Sequence, residues 1–156
     1  MSMAENEIPR VNLRFLFVMC NDILTMRHFY TDLLGMKETS FTNDEHWGWL
    51  NYKSEGLEFM FFRAKEKMPV QHYWTWQPGY DGGTVNAISW AIHIPEADFE
   101  STVDRLKRSG IKSFSKKPEW RQDNYWGFSV MDPMGNTVEV YTIPKARPEL
   151  PEWPDK

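Results

Sequence analysis

Asp132-Pro133-Met134-Gly135-Asn136-Thr137-Val138-Glu139-Val140-Tyr141-Thr142 decides how this chain is read, because it joins a tight turn to a strand with a charge inside it. Asp at the first turn position, Pro at the second with its φ already set, and Gly at the fourth are the signature of a type I β-turn. In the strand that follows, Val138 and Val140 share one face, and Thr137, Glu139 and Tyr141 share the other. A half-exposed strand would simply turn Glu139 to water. A strand lining a cavity would make it a metal ligand, a ligand-binding group or a catalytic base.

Working outward, 156 residues suit one domain or two small modules around a shared core. The net charge of −4 gives no electrostatic footprint for nucleic acid or for an anionic membrane surface, so neither partner is expected. Residues 1–10 are polar and acidic and the apolar runs are short, so neither a signal peptide nor a membrane span is expected. Cys20 is the single cysteine, which rules out a disulfide or a thiolate metal cluster within one chain and fits a reducing, cytoplasmic setting. It ends an apolar run with no activating His or Gly-rich turn nearby, and reads as a buried structural thiol. The compositional outlier is the aromatic content, 15% of the chain with eight Trp. Most of these rings belong in a core, but Tyr and Trp also suit the grip of a planar apolar ligand.

The chain divides in order. Residues 1–10 read as a flexible lead. VNLRFLFVMC over 11–20 is a strand, Asp22 or Asn21 caps a helix running to about Leu34, and Gly35 stops it. Strands are expected near 36–42, 46–52 and 57–63, which completes a first βαβββ module over 11–64. A linker over 65–85 mixes Pro and Gly with Trp74, Trp76 and Tyr80, more aromatic than a plain connector needs, and is expected to lie over the domain and cover a cavity mouth. A second βαβββ module over 86–143 has strands near 86–94, 111–115, 125–131 and 137–143 and a helix over 96–109. The Pro-rich tail over 144–156 reads as an extended strap.

The two modules repeat at a spacing of about 75 to 80 residues, and each carries a carboxylate in its last strand, Glu58 in LEFMF and Glu139 in VEVYT. FVMCNDILTMRHFYTDLLGM resembles the first strand and helix of the vicinal oxygen chelate superfamily, which includes glyoxalase, bleomycin-resistance and extradiol-dioxygenase proteins. WGFSVMDPMGNTVEVY resembles its closing motif. The resemblance covers roughly residues 11–143. It implies an α+β fold of two tandem βαβββ modules forming a curled mixed sheet around a cavity, commonly in a homodimer.

In metal-dependent members of that family, the ligands are His or Gln on the first strand of each module and Glu on the last. The resemblance carries those positions onto Phe15, Glu58, Ser89 and Glu139. Phe15 cannot bind a metal and Ser89 is a poor ligand for divalent ions, so only the two carboxylates survive. His93 shares a strand face with Ser89, and a register slip or bulge would let it complete a set with Glu139 and Glu58; otherwise it is a histidine at a strand end. His28, His46 and His72 read as surface residues. Trp47 and Trp49 flank Gly48, and Trp126 and Phe128 flank Gly127, so each pair presents two rings to one face. With Trp74, Trp76, Tyr80 and Tyr141 these rings either pack a core or wall a ligand site around Glu139.

Two functions follow from this. One is a small-molecule-binding protein of the bleomycin-resistance type, holding a hydrophobic or planar aromatic ligand with no cofactor. The alternative is a lyase, isomerase or dioxygenase of the same superfamily using one divalent metal ion and Glu139. The shortage of ligands favours the first, since such ions normally take at least three protein ligands.

Overall fold

The computed structural model describes residues 11–79 and 82–155, so the expected lead over 1–10 lies outside the described residues. The chain folds as α+β, with two four-stranded mixed sheets. The first module runs β1 (Phe15–Cys20), α1 (Ile23–Arg27), β2 (Glu38–Asn43), β3 (Gly48–Ser54) and β4 (Leu57–Arg63). The second runs β5 (Trp90–His93), α2 (Glu96–Arg108), β6 (Glu119–Arg121), β7 (Tyr125–Met131) and β8 (Thr137–Thr142). Sheet order is β1-β4-β3-β2 in one and β5-β8-β7-β6 in the other, with the outer parallel pair β1–β4 matched by β5–β8. The expected duplication is therefore present in topology and in register. The strands of each module form a hydrogen-bonded sheet of their own.

Local chemistry explains the element ends. Asp22 accepts from Leu24 N and Thr25 N and so caps α1, whose continuation over His28–Leu33 widens into a π-helical turn before the chain leaves at Gly35. In α2, Glu96 and Asp98 stand at the positive end of the helix and Arg105, Lys107 and Arg108 at the negative end. One expected strand is displaced. Residues 111–115 make only a bridge between Ser113 and Val130, and the fourth strand of the sheet is Glu119–Arg121. A tight hairpin decides this: Gln122 and Asp123 take positive φ, Asn124 N donates to Arg121 O, and Arg121 pairs with Tyr125.

Each sheet has a helix-facing side and an open side. Leu50, Tyr52, Phe59 and Phe61 of sheet 1 pack on α1, and Trp126, Phe128, Val130, Val138 and Val140 of sheet 2 pack on α2, all within one hydrophobic cluster. The modules meet through these helix-facing sides. Phe59 and Trp90 rings lie 5.2 Å apart, Trp90 Nε1 donates to the Tyr30 hydroxyl, and that hydroxyl donates at 2.8 Å to Asp132. Asp132 also accepts from Met134 N and Asn136 N, so the DPMGN turn is fastened into the core shared by both modules. Cys20 is fully buried in the same cluster, and burial pushes its thiol up to about 12, as suits a structural cysteine. The tail closes one edge: Glu152 bridges to Glu119 of β6, and Trp153 packs against Phe99 and Trp126.

Candidate functional site

Alternation along the strands sets what each open side carries. On sheet 1 it is Phe15, Phe17 and Met19 from β1, Glu58, Met60 and Phe62 from β4, and Trp49, Asn51 and Lys53 from β3. The Phe62 ring lies within ring-contact distance of Phe17, Trp47 and Trp49, which makes a continuous aromatic surface. Phe17 is 59% exposed, and Phe15, Met19 and Trp47 are also exposed. On sheet 2 the same side carries Ala91 and His93 from β5, Glu139 and Tyr141 from β8, Tyr125, Gly127 and Ser129 from β7, and Arg121 from β6.

Sheet 2 builds a polar cluster around Glu139. Arg121, only 1% exposed, donates from Nη1 to Glu139 Oε1 at 2.7 Å and to Ser129 Oγ at 2.9 Å. Its other terminal nitrogen donates to Glu119 at 2.6 Å. The guanidinium reaches Glu139 because Gly127 leaves room: a Cβ there would stand 2.8 Å from both Arg121 Cδ and Glu139 Oε1. The Tyr125 hydroxyl also hydrogen-bonds to Glu139, and burial first, then the carboxylate charge and that bond, push the phenol up to about 12. A phenol so placed stays protonated at neutral pH and donates to the carboxylate.

Residues of the linker lie over this cluster. Thr75 N donates to Thr137 Oγ1, the Ser129 hydroxyl donates to Gln77 Oε1 at 3.4 Å, and a Cβ on Gly79 would stand 2.8 Å from the Tyr125 hydroxyl. Trp74 packs edge-on against Phe114, and Trp76 is exposed. Tyr80 lies outside the described residues.

The expected site residues divide between the faces. Phe15, Trp47, Trp49 and Glu58 gather on or beside the open side of sheet 1, and Glu139 and Tyr141 on that of sheet 2. Trp126 and Phe128 turn the other way, into the helix-facing core, because Gly127 rather than its flanking rings takes the open side. Ser89 does not stand opposite Glu139. The register puts Ala91 there, as it puts Phe15 opposite Glu58, so the residue matching Phe15 is two positions further along. His93 stands against Tyr141, with ring centroids 5.3 Å apart. Of the other histidines, His28 pairs with Asp32 and His46 with Glu45 on the surface, and His72 is exposed.

The family's divalent metal can be tested against these residues. The two first-strand positions hold Phe15 and Ala91, which have no donor atoms, and the Oε1 of Glu139 is already taken by a guanidinium. Among the described residues no three His, Cys, Asp or Glu side chains converge. This donor set does not fit the ion. Arginine missed detection in the sequence because it sits in a three-residue strand after Pro118; the readable trace was Gly127, a glycine in mid-strand that signals a close approach.

Comparison with known proteins agrees with the topology. The family model described as Glyoxalase/Bleomycin resistance protein/Dioxygenase superfamily matches residues 12–140. No curated protein sequence matches the chain. Among solved structures, a glyoxalase/dioxygenase from Nostoc punctiforme is 19% identical with a TM-score of 0.63, over 93% of this chain and 98% of that one. A lactoylglutathione lyase from Agrobacterium tumefaciens is 16% identical with a TM-score of 0.52, over 86% and 94%. A variant of the fosfomycin resistance protein FosX from Listeria monocytogenes, complexed with Mn(II) and 1S,2S-dihydroxypropylphosphonic acid, is 15% identical with a TM-score of 0.57, over 83% and 90%. At these identities the likeness speaks to the fold. Among the described residues no helix is long and apolar enough to cross a membrane.

Proposed function

This chain belongs to the glyoxalase/bleomycin resistance/dioxygenase superfamily, and within it we propose that it binds a planar aromatic small molecule without a divalent metal. The observation that carries the reading is the buried Arg121, which supplies to Glu139 the positive charge that a metal ion would otherwise supply. Arg121 and Tyr125 both hydrogen-bond to Glu139, so its carboxylate is engaged by the chain's own side chains, which favours binding over catalysis. The exposed rings of sheet 1 supply the aromatic wall.

We propose further that the cavity is shared between two copies. Sheet 1 leaves Phe15, Phe17, Met19 and Trp47 open to solvent on one side, and exposed apolar groups gathered in this way mark surfaces that associate. The edge strands β1 and β5 belong to different sheets and are not paired with one another within the chain. A twofold axis would bring the aromatic side of sheet 1 in one copy beside the polar side of sheet 2 in the other, twice per dimer.

The test uses protein purified without metal-affinity steps or chelators. Elemental analysis is expected to find substoichiometric divalent metal, and sedimentation to give a dimer. One equivalent of Mn, Fe, Ni or Zn per chain would replace this reading with the metal-dependent lyase, isomerase or dioxygenase, and a monomer would remove the shared cavity.

A further inference from the structure

No backbone ladder joins the edge strands β1 and β5, and a cleft of about 700 Å³ opens between the modules beside them. Its floor comes from the helix-facing alternation of the strands: Leu16 of β1, Phe59 of β4, and Trp90 and Ile92 of β5, with Leu34 from the end of the π-helical turn. Phe15, Phe17 and Glu58 alternate to the opposite side and take no part in it. Only at the edge strand β5 does the cleft also touch open-side residues, Ala91 and His93. Leu16, Trp90 and Ile92 pack against the core yet are only half-buried, so the cleft exposes apolar core side chains to whatever enters it. A cavity of this size and lining suits a small organic molecule.

One charged group stands within this wall. Arg105 of α2 is half-buried, whereas Lys37, Lys53, Glu55 and Asp98 are exposed at the rim. Arg105 Nε donates to the Leu33 carbonyl at 2.8 Å, and Nη2 donates to the Thr102 hydroxyl at 3.3 Å. Both acceptors are neutral. Among the described residues Arg105 forms no ion pair, and no acceptor meets its Nη1. The two bonds fix the plane of the guanidinium and leave its charge unanswered, so the group is already ordered for a further partner. A cation held partly out of water gains more from the oxygens of a carboxylate than from neutral acceptors.

We propose that the cleft between the modules is a ligand site of its own, which takes a monocarboxylate with an apolar tail: the carboxylate pairs with Arg105, and the tail lies on Leu16, Phe59, Trp90 and Ile92. The charges on the cleft select the valence of the anion. Lys37 and Lys53 are matched at the rim by Glu55 and Asp98, which leaves Arg105 in excess, and one carboxylate balances it. A phosphate or a dicarboxylate would bring a second negative charge toward Glu55 and Asp98. A small polar anion would gain nothing from the apolar floor. This site does not depend on the aromatic side of sheet 1, and it recognises its ligand by charge rather than by ring stacking.

Two matched probes test this, octanoate and octanamide, which share a tail and differ in charge. Isothermal titration calorimetry at pH 8, above the ordinary titration range of histidine, is expected to show octanoate binding the native protein about tenfold more tightly. In Arg105→Gln, which keeps an N–H donor but no charge, octanoate should lose that advantage while octanamide stays within about twofold of its native affinity. Arg105→Met serves the same purpose should the glutamine variant fail to fold, and Arg105→Lys, which restores the charge, should keep a preference of at least about threefold. Methyl NMR of the native protein locates the tail without any substitution, with shifts expected at Leu16, Leu34 and Ile92. Octanoate that fails to bind at about 10 mM, or that binds no better than octanamide, overturns the proposal. A preference that survives the loss of the Arg105 charge overturns it too, as do shifts confined to Met19 and Met60 on the open side of sheet 1.

Discussion

The open sides of the two sheets share a backbone and differ in chemistry. In each, a first strand lies parallel to a last strand whose carboxylate faces a residue with no donor atom, Phe15 opposite Glu58 and Ala91 opposite Glu139. Beyond that the faces part. Glu58 is half-buried, with Lys53 as its register partner and aromatic rings for neighbours, whereas Glu139 is buried and tied to Arg121 under the linker. Duplication of the fold fixes where a side chain points, and the surrounding side chains fix what it does. One face is mostly aromatic and apolar, with Glu58, Lys53 and the unpaired amide oxygen of Asn51 among its rings; the other is a polar network in which a guanidinium, a phenol and a carboxylate satisfy one another.

Breaking the network should produce the largest effect. Arg121→Leu leaves Glu139 without its cation in a buried setting, and the loss expected in urea unfolding is about 3 to 5 kcal/mol. The double variant Arg121→Leu/Glu139→Leu removes both charges and should recover most of that loss, since an ion pair exchanged for packed apolar groups is often neutral. Should the single variant cost less than about 1 kcal/mol, the pair is solvated and the polar network is not what holds this face together.

A smaller effect separates the two faces directly, because the duplication supplies a matched pair of substitutions. Glu139→Gln keeps the shape but removes the charge from a hydrogen bond with a buried guanidinium, at an expected cost of about 1 to 3 kcal/mol. Glu58→Gln, at the corresponding place in the other module, should stay within about 0.5 kcal/mol of the native protein. Equal losses at the two positions would mean that the sheets are more alike than their side chains indicate.

How much of this was legible in the sequence follows the same division. Period-two alternation and the Gly and Pro stops marked most of the elements, and a repeat needs only those local signals, so the βαβββ duplication could be read with its two carboxylates in place, the strand expected at 111–115 excepted. The DPMGN turn was legible because its residue types have no other good use. What could not be read depended on contacts across the sheet. Trp126 and Phe128 bracket a glycine just as Trp47 and Trp49 do, yet one pair enters the core and the other surrounds the open side, since alternation gives two faces without saying which is buried. The error at Ser89 was a register error of the same origin: the strand is shorter than its apolar run, and the ladder starts at Trp90. Arg121 and Asn51 were invisible for a further reason, as a buried guanidinium and an unmet amide look like ordinary surface polar residues until their neighbours are known.

The smallest effect on the fold should fall at Phe17, and it bears most on assembly. The ring is largely exposed in the single chain, so Phe17→Glu removes little burial there, and the intrinsic stability should change by no more than about 0.5 kcal/mol. If the aromatic side of sheet 1 is covered by a second copy, the new carboxylate is instead forced into an apolar interface, where an unpaired charge is costly. Sedimentation should then show the variant as a monomer at concentrations where the native protein is a dimer, and its thermal midpoint should lose the dependence on protein concentration that coupling to assembly produces. A variant that still sediments as a dimer would mean that this face stays open in the assembly, leaving the aromatic wall as a feature of the single chain.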